Sequence, residues 1–404
     1  MEVALAAAFA VALIVVLAAL LEGARHVLLP SRPAKIVVNG TREVAGATNL
    51  RLLEVLNGGG VAVPSACAGA GTCGLCRVRV AGAGEPLPTE RTLLSRDELR
   101  EGMRLACQVV VRTPLEVTVP DEILGVSAFT CTVHAVAGKT PLIREIVLAP
   151  PEGTSFDFRA GGFVQVTAPP YRLSFRDISV APEHEPQWQR LGLRGLSAHS
   201  AAPVSRAYSI ASRPVDAGRI VLNIRLATPP PARPDVAPGI VSSWLFGLKP
   251  GDRVAVSGPY GHFGASDTGA EMVFIGGGVG MAPLRAIIHD ELERRQSGRR
   301  ISFWYGARSR SELYYVDEFD DLARRHDNFS WTPALSEPAP GDDWTGAQGF
   351  IHDVVFRHYL SAHPAPEDCE YYLCGPPLMI EAVFAMLDSC GVERGSIFND
   401  DFGI

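Results

Sequence analysis

Four cysteines impose the strongest constraint on how this chain can fold. Cys67, Cys73 and Cys76 are separated by five and by two residues, and Cys107 follows on a later apolar segment. Cysteine thiolates at such spacing hold a 2Fe-2S cluster. The residues between the first two ligands are small, so the backbone can wrap closely around an inorganic core and direct N–H groups at its sulfurs. The spacing predicts a centre that transfers single electrons.

Two other interpretations of the cysteines remain open at this point. A structural zinc site more usually has paired C-x2-C knuckles, and buried free thiols need no fixed spacing. The flanking sequence favours the cluster, since residues 35–40 are predicted to form a strand and turn, 77–80 a strand, and 105–109 an apolar strand that returns the fourth ligand. The remaining cysteines have no ligand spacing and are not expected to form disulfides: Cys131, Cys369, Cys374 and Cys390.

Length and charge limit what surrounds such a centre. A chain of 404 residues exceeds the size at which one core usually divides, and a hydrophobic content of 47% can fill several cores. The net charge of -7, without a basic patch interleaved with aromatic residues, argues against nucleic acid as a partner. Length and composition therefore allow three modest domains, and the motifs that follow predict a multidomain fold with α+β and α/β parts.

The N-terminus differs in kind from the rest of the chain. Residues 3–21 are all apolar, and a helix of that length just spans the hydrocarbon of a bilayer. A cleavable signal peptide is the alternative, but Met1-Glu2 supplies no positive n-region and the apolar run exceeds a usual h-region. Basic residues follow the run and none precedes it, which places the C-terminal bulk in the cytoplasm. We predict a transmembrane anchor helix within residues 1–25.

The middle of the chain is predicted to be a β-barrel that binds a flavin. Its strands are short and separated by Gly and Pro, while residues 183–204 lack periodicity and are interpreted as an insertion or loop. Arg206-Ala-Tyr208-Ser209 matches the Arg-x-Tyr-Ser signature of ferredoxin-reductase-like flavin domains. Arg can fork onto a pyrophosphate, Tyr can stack on the isoalloxazine, and Ser can hydrogen-bond near flavin N5. An ordinary strand with a buried tyrosine is the alternative.

A second element supports the flavin interpretation. Gly239, Ser242 and Ser243 resemble a Gly-x-x-Ser turn in which Ser caps a helix whose N-terminus faces the flavin pyrophosphate. Because this turn follows the Arg-x-Tyr-Ser strand at the appropriate distance, the two motifs together predict FAD binding.

The last part of the chain is predicted to be a parallel nucleotide-binding sheet. An apolar strand over 272–275 enters a glycine turn, and Pro283 suits the first position of the following helix. Two further strands, 301–305 and 370–373, also end in turn motifs. Cys374 has two interpretations. It is either a core thiol or the cysteine beside the nicotinamide, since Cys-Gly-Pro-Pro at the end of a strand resembles the nicotinamide site of such reductases. The candidate nucleotide-binding residues are Gly276, Gly277, Gly278, Gly280, Pro283, Gly306, Arg308, Cys374, Gly375 and Pro376.

The order of these parts resembles the F subunits of sodium-translocating NADH:quinone reductases. The likeness extends over nearly the whole chain and includes residues 226–239, 248–263, 271–285, 303–319, 365–377 and the ending DDFGI. It implies four parts: an anchor (1–25), a β-grasp 2Fe-2S ferredoxin-type domain (33–125), an antiparallel β-barrel FAD domain (128–268) and an α/β NADH domain (269–404).

The resemblance also implies the reaction and its partners. NADH would reduce FAD, and electrons would leave through the cluster for partner subunits and end on ubiquinone while sodium is exported across the bacterial inner membrane. Cys374 and Ser209 would act at the site of hydride transfer, and Phe402 would cover the flavin ring. NADH gives two electrons and a 2Fe-2S centre accepts one, so a flavin must lie between them. Arg308 and Arg310 leave NADPH open as a donor.

Two rival functions share part of this pattern. The reductase component of a bacterial oxygenase has the same three cofactor domains, but the apolar N-terminus and the five-residue first cysteine loop argue against it. A membrane-tethered ferredoxin that only carries electrons is the non-enzymatic alternative, and the flavin and nicotinamide motifs argue against that. Bleaching of the yellow-brown colour by NADH separates the reductases from the carrier. The paired aspartates at 320–321 and 400–401 are predicted to be solvated or capping.

Overall fold

A computed structural model describes residues 13, 16–18, 31–65, 67, 69–120, 123, 126–154, 156–216, 218–230, 232–339, 341 and 343–400. Most of the predicted anchor over 1–25 lies outside these residues, as does Phe402. Within the described part of the chain, no helix has the length and apolar character to cross a membrane. The structure divides into two compact units, one including Gly69–Leu124 and the other including everything from Gly125 onward.

The first unit is built on a five-stranded mixed sheet. Its strands are β1 (Pro33–Val38), β2 (Arg42–Ala47), β3 (Arg77–Ala81), β4 (Met103–Leu105) and β5 (Leu115–Thr118), in the order β2-β1-β5-β3-β4. The helices are α1 (Leu52–Gly58), α2 (Pro88–Leu93) and α3 (Arg96–Arg100). Alternating side chains of β1 and β3 point into one core together with Leu52 and Leu56 of α1, which are fully buried.

The predicted strand over 105–109 is only partly correct. Strand β4 ends at Leu105, and Cys107 lies in the turn that follows it. A buried ion pair fixes this turn, because Glu90 accepts hydrogen bonds from the Arg104 guanidinium (2.7 Å) and from the Leu105 N–H (2.9 Å). Arg104 is 4% and Glu90 0% exposed, so a buried ion pair helps to hold the turn that carries Cys107.

The second unit begins with an antiparallel barrel. The strands of its main sheet are β6 (Ser127–Thr140), β7 (Ile143–Ala149), β8 (Phe163–Ala168), β11 (Val204–Ser209), β12 (Ile220–Arg225) and β13 (Arg253–Tyr260), in the order β11-β8-β13-β6-β7-β12. A bridge between Ile210 and Leu222 links the two edge strands, and α5 (Ile240–Gly247) packs beside them. Val164, Val166 and Leu222 are fully buried inside. The predicted barrel is therefore present.

The segment 183–204, interpreted as an insertion or loop, is ordered secondary structure. It contains helix α4 (Glu185–Arg190) and strand β10 (Ser197–Ser200), which pairs with β9 (Tyr171–Ser174). Trp188 is fully buried and donates its indole N–H to the Pro141 carbonyl. The sequence gives little sign of this, because a six-residue helix held by one aromatic side chain is too short to produce a periodic pattern.

The third predicted domain is a six-stranded, fully parallel sheet. It comprises β14 (Met272–Gly277), β15 (Ile301–Ala307), β16 (Phe329–Leu335), β17 (Ala347–Gln348), β18 (Glu370–Cys374) and β19 (Ile397–Asp400), in the order β17-β16-β15-β14-β18-β19. The covering helices are α6 (Met281–His289), α7 (Val316–Arg325), α8 (Ile351–His358) and α9 (Pro377–Ser389). Ligands of such sheets bind outside the carboxyl ends of the strands where the order reverses, here beside β14.

Short helical turns complete the described chain. The 3-10 turns are Phe175–Asp177, Pro182–His184, Leu193–Gly195, Pro214–Asp216, Gly278–Gly280, Arg310–Glu312, Leu360–Ala362, Pro366–Asp368 and Arg394–Ser396, and a π-helical turn spans Asp290–Arg294. Helix α6 begins at Met281, so Pro283 is its third residue rather than its first. Proline is tolerated there because the first four N–H groups of a helix have no partner within the helix.

Candidate functional site

The cysteine loop brings Cys73 and Cys76 close to Cys107. Cys76 and Cys107 are buried, Cys67 and Cys73 are half-buried, and the Gln108 side-chain amide donates to Cys107 Sγ (3.3 Å). A hydrogen bond with Cys107 raises the pKa of Cys76 far above its usual value, and burial and the nearby Cys73 act in the same direction. Thiols crowded in this way favour a shared cation that replaces their protons.

The backbone around these thiols fits an inorganic core. Gly69, Gly71 and Gly74 all have positive φ, between +66° and +86°, which turns the loop sharply. A Cβ on Gly71 would lie 2.5 Å from the Gln108 side-chain nitrogen, so a larger residue would displace the amide that hydrogen-bonds Cys107. The cysteines and the small-residue loop therefore fit a 2Fe-2S cluster.

The Arg-x-Tyr-Ser motif lies on strand β11 of the barrel. Arg206 donates to the adjacent Ser205 carbonyl and, among the described residues, forms no ion pair, so its charge is available to an anion. Tyr208 is half-buried on the barrel core, and burial raises the pKa of its phenol well above the usual value. Ser209 ends the strand and is 9% exposed. One strand thus presents an anion-binding, a stacking and a hydrogen-bonding group.

The Gly-x-x-Ser element forms the start of helix α5 but not as predicted. Gly239, rather than a serine, is the N-cap, and Ser242 Oγ accepts from the Ala227 N–H (3.3 Å). Ser243 is fully buried, and its hydroxyl oxygen has no hydrogen-bond partner in the described structure. A buried hydroxyl without a partner at a helix N-terminus fits a phosphate oxygen of FAD.

The glycine turn after β14 is shaped by close approach of neighbouring backbone. A Cβ on Gly280 would lie 1.9 Å from the Cys374 carbonyl oxygen, and one on Gly277 would lie 2.8 Å from Met379 Sδ. By contrast, a Cβ on Gly278 would meet open space. The hydroxyls of Tyr305 and Tyr314 both donate to the Gly278 carbonyl at 3.0 Å and hold the turn in place.

Cys374, Ser209 and Asp400 meet at the carboxyl ends of these strands. Cys374 pairs with Gly276 of β14 on one side and with Asp400 of β19 on the other. Ser209 donates its hydroxyl to the Asp400 carboxylate (3.2 Å). The flavin strand and the predicted nicotinamide strand therefore end at one place. Asp400 is half-buried, and strand register carries it to the flavin motif, a contact that its sequence context did not suggest.

A cavity of about 370 Å³ opens beside this junction. Its lining includes several of the predicted nucleotide-binding residues, namely Gly277, Gly278, Gly306, Arg308 and Pro376, together with Phe350 and Glu312. Phe350 is 64% exposed and offers an aromatic face at the rim. A depression of about 620 Å³ near Pro214 and His326 is larger, but it is open and away from the predicted site residues.

The sequence analysis missed several groups of this site. Asp400, Gln108, Tyr305 and Tyr314 carry no local motif, and only Asp400 belongs to the ending DDFGI. The available signal for the tyrosines was the stretch 303–319, which contains both of them and resembles the family.

Together, the barrel with its Arg-x-Tyr-Ser strand, the parallel sheet with its glycine turn, and the thiol loop define a flavin- and nicotinamide-dependent oxidoreductase with its own 2Fe-2S domain. Family models agree in each part. They match a 2Fe-2S iron-sulfur cluster binding domain at 36–112, an oxidoreductase FAD-binding domain at 195–264 and an oxidoreductase NAD-binding domain at 274–384.

Known proteins narrow the class further. The chain is 47% identical over 404 residues, all of both chains, to the F subunit of the Na(+)-translocating NADH-quinone reductase of Neisseria meningitidis. It is 51% identical over 354 residues, 87% of both chains, to the protein of that name from Yersinia pseudotuberculosis. A cytochrome P450 reductase from Amycolatopsis has a similar structure, with a TM-score of 0.63 and 26% identity over 91% of this chain and 98% of that one. The chain belongs to the family of Na(+)-translocating NADH-quinone reductase F subunits.

Proposed function

We propose that this protein is the electron-input subunit of a Na(+)-translocating NADH:ubiquinone reductase. It takes a hydride from NADH and delivers single electrons through its 2Fe-2S centre to partner subunits, ending on ubiquinone with export of sodium. The observation that carries the proposal is the meeting of Ser209, Cys374 and Asp400, which joins the flavin strand to the nicotinamide strand. Bound FAD supplies the conversion of a two-electron donor to one-electron steps.

The chain's own residues orient the two nucleotides. Arg206 and the start of α5, with Gly239, Ser242 and Ser243, hold the FAD pyrophosphate, while Tyr208 packs on the ring. Ser209 is placed near the reacting flavin nitrogen. Because its hydroxyl proton is donated to Asp400, its oxygen would be left to accept a hydrogen bond from the flavin. By the family resemblance Phe402, which lies outside the described residues, would cover the flavin ring near its nicotinamide face.

The glycine turns and Cys374 position the donor. Backbone N–H groups of Gly276, Gly277, Gly278 and Gly280 approach the NADH pyrophosphate, with Gly306, Gly375 and Pro376 at the neighbouring strand ends and Pro283 in the first turn of α6. Cys374 is 5% exposed and packs against the nicotinamide. No acid or base is needed at this point, so the protein contributes orientation and exclusion of water.

Arg308 favours NADH over NADPH as the donor. Its guanidinium is held by Glu312, with Nη2 2.6 Å and Nε 3.1 Å from Oε1. Both residues line the nucleotide cavity. A carboxylate beside this arginine neutralises the charge that a 2'-phosphate would require and repels the phosphate itself.

A transmembrane anchor within 1–25 attaches the protein to the cytoplasmic face of the bacterial inner membrane. Leu13, Val16 and Leu17 are helical and between 48% and 57% exposed, an apolar surface that a bilayer would cover. Domain limits at 33–125, 128–268 and 269–404 complete the proposal.

The order of electron transfer supplies the test. In purified full-length protein, Cys73→Ser should abolish the paramagnetic signal of the reduced cluster yet leave NADH oxidation by ferricyanide, because the cluster lies after the flavin. The control is Cys390→Ser, which should keep both. Loss of NADH oxidation by ferricyanide in a fully flavinated Cys73→Ser protein would contradict the order. Isolation of the anchored protein with an oxygenase rather than with quinone-reducing membrane subunits would favour the rival function.

A further inference from the structure

Three residues with metal-binding side chains meet at the amino end of the nucleotide sheet. Glu271 immediately precedes β14, and Cys369 immediately precedes the neighbouring strand β18. The Glu370 N–H donates to the Glu271 carbonyl (2.8 Å), which locks the two strand starts side by side. His363 reaches the same point from the loop that follows the 3-10 turn Leu360–Ala362. Their potential ligand atoms all lie within 4.8 Å of one another.

The geometry at the histidine distinguishes a metal site from a nucleophile relay. His363 Nε2 lies 3.4 Å from Glu271 Oε2 and 3.9 Å from Cys369 Sγ. In a relay, the thiol and the carboxylate contact opposite nitrogens of the ring. Here both converge on the same nitrogen, while Nδ1 faces the Ala365 N–H at 3.3 Å. Three side chains that converge on a common point suit an ion between them.

The distances between the potential ligand atoms are close to those between the ligands of a tetrahedral zinc ion. Zinc bonds of about 2.0–2.1 Å to nitrogen and oxygen and about 2.3 Å to sulfur give ligand separations of about 3.3 Å for N···O and about 3.6 Å for S···N. The observed separations of 3.4 Å and 3.9 Å therefore need changes of only a few tenths of an ångström. The Glu271 carboxylate oxygen and the Cys369 sulfur are at most 4.8 Å apart, so they need to approach by no more than about 1 Å.

The burial and hydrogen bonding of these three residues also favour a metal site. Cys369 is 2% exposed, and the side chains of His363 and Glu271 are 11% and 16% exposed. Glu271 Oε1 is buried without a hydrogen bond in the described structure, and the Arg300 guanidinium approaches it only to 3.7 Å. A divalent cation would compensate this buried carboxylate and stabilise the thiolate.

We propose that Glu271, His363 and Cys369 bind a divalent transition metal of the zinc type, with water in a fourth position. The thiol proton leaves on binding. The neutral imidazole carries its proton on Nδ1, so that Nε2 is free for the metal and the long contact from the Ala365 N–H is given up. The five residue steps from Cys369 to Cys374 extend about 16 Å, which separates this ion from the site of hydride transfer. The ion ties the loop at 363–369 to the first strand and stabilises the nucleotide domain.

Zinc binding to the full-length holoprotein tests the proposal. After dialysis against a chelator that leaves flavin and iron contents unchanged, equilibrium dialysis with zinc chloride should give one bound zinc per chain. X-ray absorption at the zinc edge should show one sulfur at about 2.3 Å and three nitrogen or oxygen neighbours at about 2.0 Å. Zinc in the cysteine loop would instead show a shell dominated by sulfur, and that result would overturn the assignment.

Substitutions locate the ion. Cys369→Ser and His363→Gln should each weaken zinc binding by tenfold or more, and Glu271→Gln should weaken it less, since an amide oxygen still coordinates. The matched controls Cys390→Ser and His352→Gln should bind as the wild type does. If a variant does not fold, thermal unfolding of the wild type decides instead. Zinc should raise its midpoint and that of Cys390→Ser, and an unchanged midpoint, or full binding by both Cys369→Ser and His363→Gln, refutes the site.

Discussion

Glu318→Gln tests how the barrel is held to the nucleotide sheet. Glu318 accepts hydrogen bonds from Arg285 (Nη2, 2.9 Å), His289 (Nε2, 3.0 Å) and Arg213 (Nη1, 3.3 Å). Arg285 is 3% exposed, stacks on the Tyr315 ring at 4.3 Å and donates to the Ala211 carbonyl just after the flavin strand. The carboxylate therefore joins helix α6, which follows the glycine turn, to the barrel.

The expected loss of unfolding free energy follows from the contacts that remain after Glu318→Gln. An amide keeps the volume but presents an NH₂ group to guanidinium donors and leaves Arg285 with only the more distant Asp216 carboxylate, at 3.9 Å, as an ion-pair partner. Breaking a buried ion pair from one side costs about 3–5 kcal/mol, and the 19% exposure of the Glu318 side chain places the expected loss at the lower end, about 3 kcal/mol. For a unit of this size that corresponds to a fall in Tm of about 6–12 °C.

Calorimetry of the holoprotein measures this loss. The matched control is Asp321→Asn on the same helix, an exposed partner of Arg324 and Arg325, which should change stability by less than about 0.5 kcal/mol. Slower reduction of the flavin by NADH should accompany the loss of stability, since α6 follows the glycine turn. If Glu318→Gln unfolds within about 1 °C of the wild type, the ion-pair reasoning is refuted.

The contribution of Glu318 to the free energy of unfolding depends on pH in a definite direction. Burial alone would raise the pKa of Glu318, but the hydrogen bonds from His289 and Arg285 outweigh it and hold that pKa far below its usual value. The stabilisation is therefore complete above the unfolded pKa of about 4.3 and is lost as the pH falls through the lower folded pKa. The difference in unfolding free energy between wild type and Glu318→Gln should shrink below about pH 4.

Four further substitutions or deletions address the cofactor sites and the anchor. Cys374→Ala should slow flavin reduction in rapid mixing with NADH, up to about a hundredfold if the donor carbon shifts by about 1 Å. An unchanged rate in a fully flavinated variant would place this thiol in the core only. Ser243→Ala should weaken FAD retention about fivefold or more on gel filtration, because its buried hydroxyl has no other described partner. Retention equal to wild type would remove this serine from the site. Glu312→Gln should free Arg308 and raise kcat/KM for NADPH relative to NADH by about three- to fivefold, with Asp321→Asn as control. A fixed ratio would contradict the role of this pair. Deletion of residues 2–25 should give a soluble, coloured protein that reduces ferricyanide with NADH but not quinone in membranes. Full-length protein that carbonate washes from membranes would disprove the anchor.

Local motifs in the sequence were sufficient for the cofactor class and for the fold types of the cofactor domains. The spacing of Cys67, Cys73 and Cys76 fixes a loop whose atoms are near one another whatever surrounds them. Arg206, Tyr208 and Ser209 lie on one strand, and the glycines from Gly276 onward begin one turn. Each such motif determines its own geometry because few freely rotating bonds separate its members.

Local motifs report only on neighbouring residues, which explains why the predicted ends of some helices and strands were wrong. Pro283 was expected to begin a helix that in fact begins two residues earlier, and Cys107 was expected on a strand that ends at Leu105. Trp188 organises a segment that looked irregular, because its partner Pro141 is 47 residues away. In each case a distant contact outweighed the local preference.

The sequence by itself therefore determined which cofactors this protein holds, and the tertiary structure decided which other residues serve them. Asp400 reaches Ser209 across 191 residues only because β19 pairs with β18 and β18 with β14. Glu271, His363 and Cys369 meet because the starts of two parallel strands lie side by side. Parallel strands are joined by long crossovers, so the order and register of the sheet set these distances, and neither is encoded by the spacing of residues along the chain.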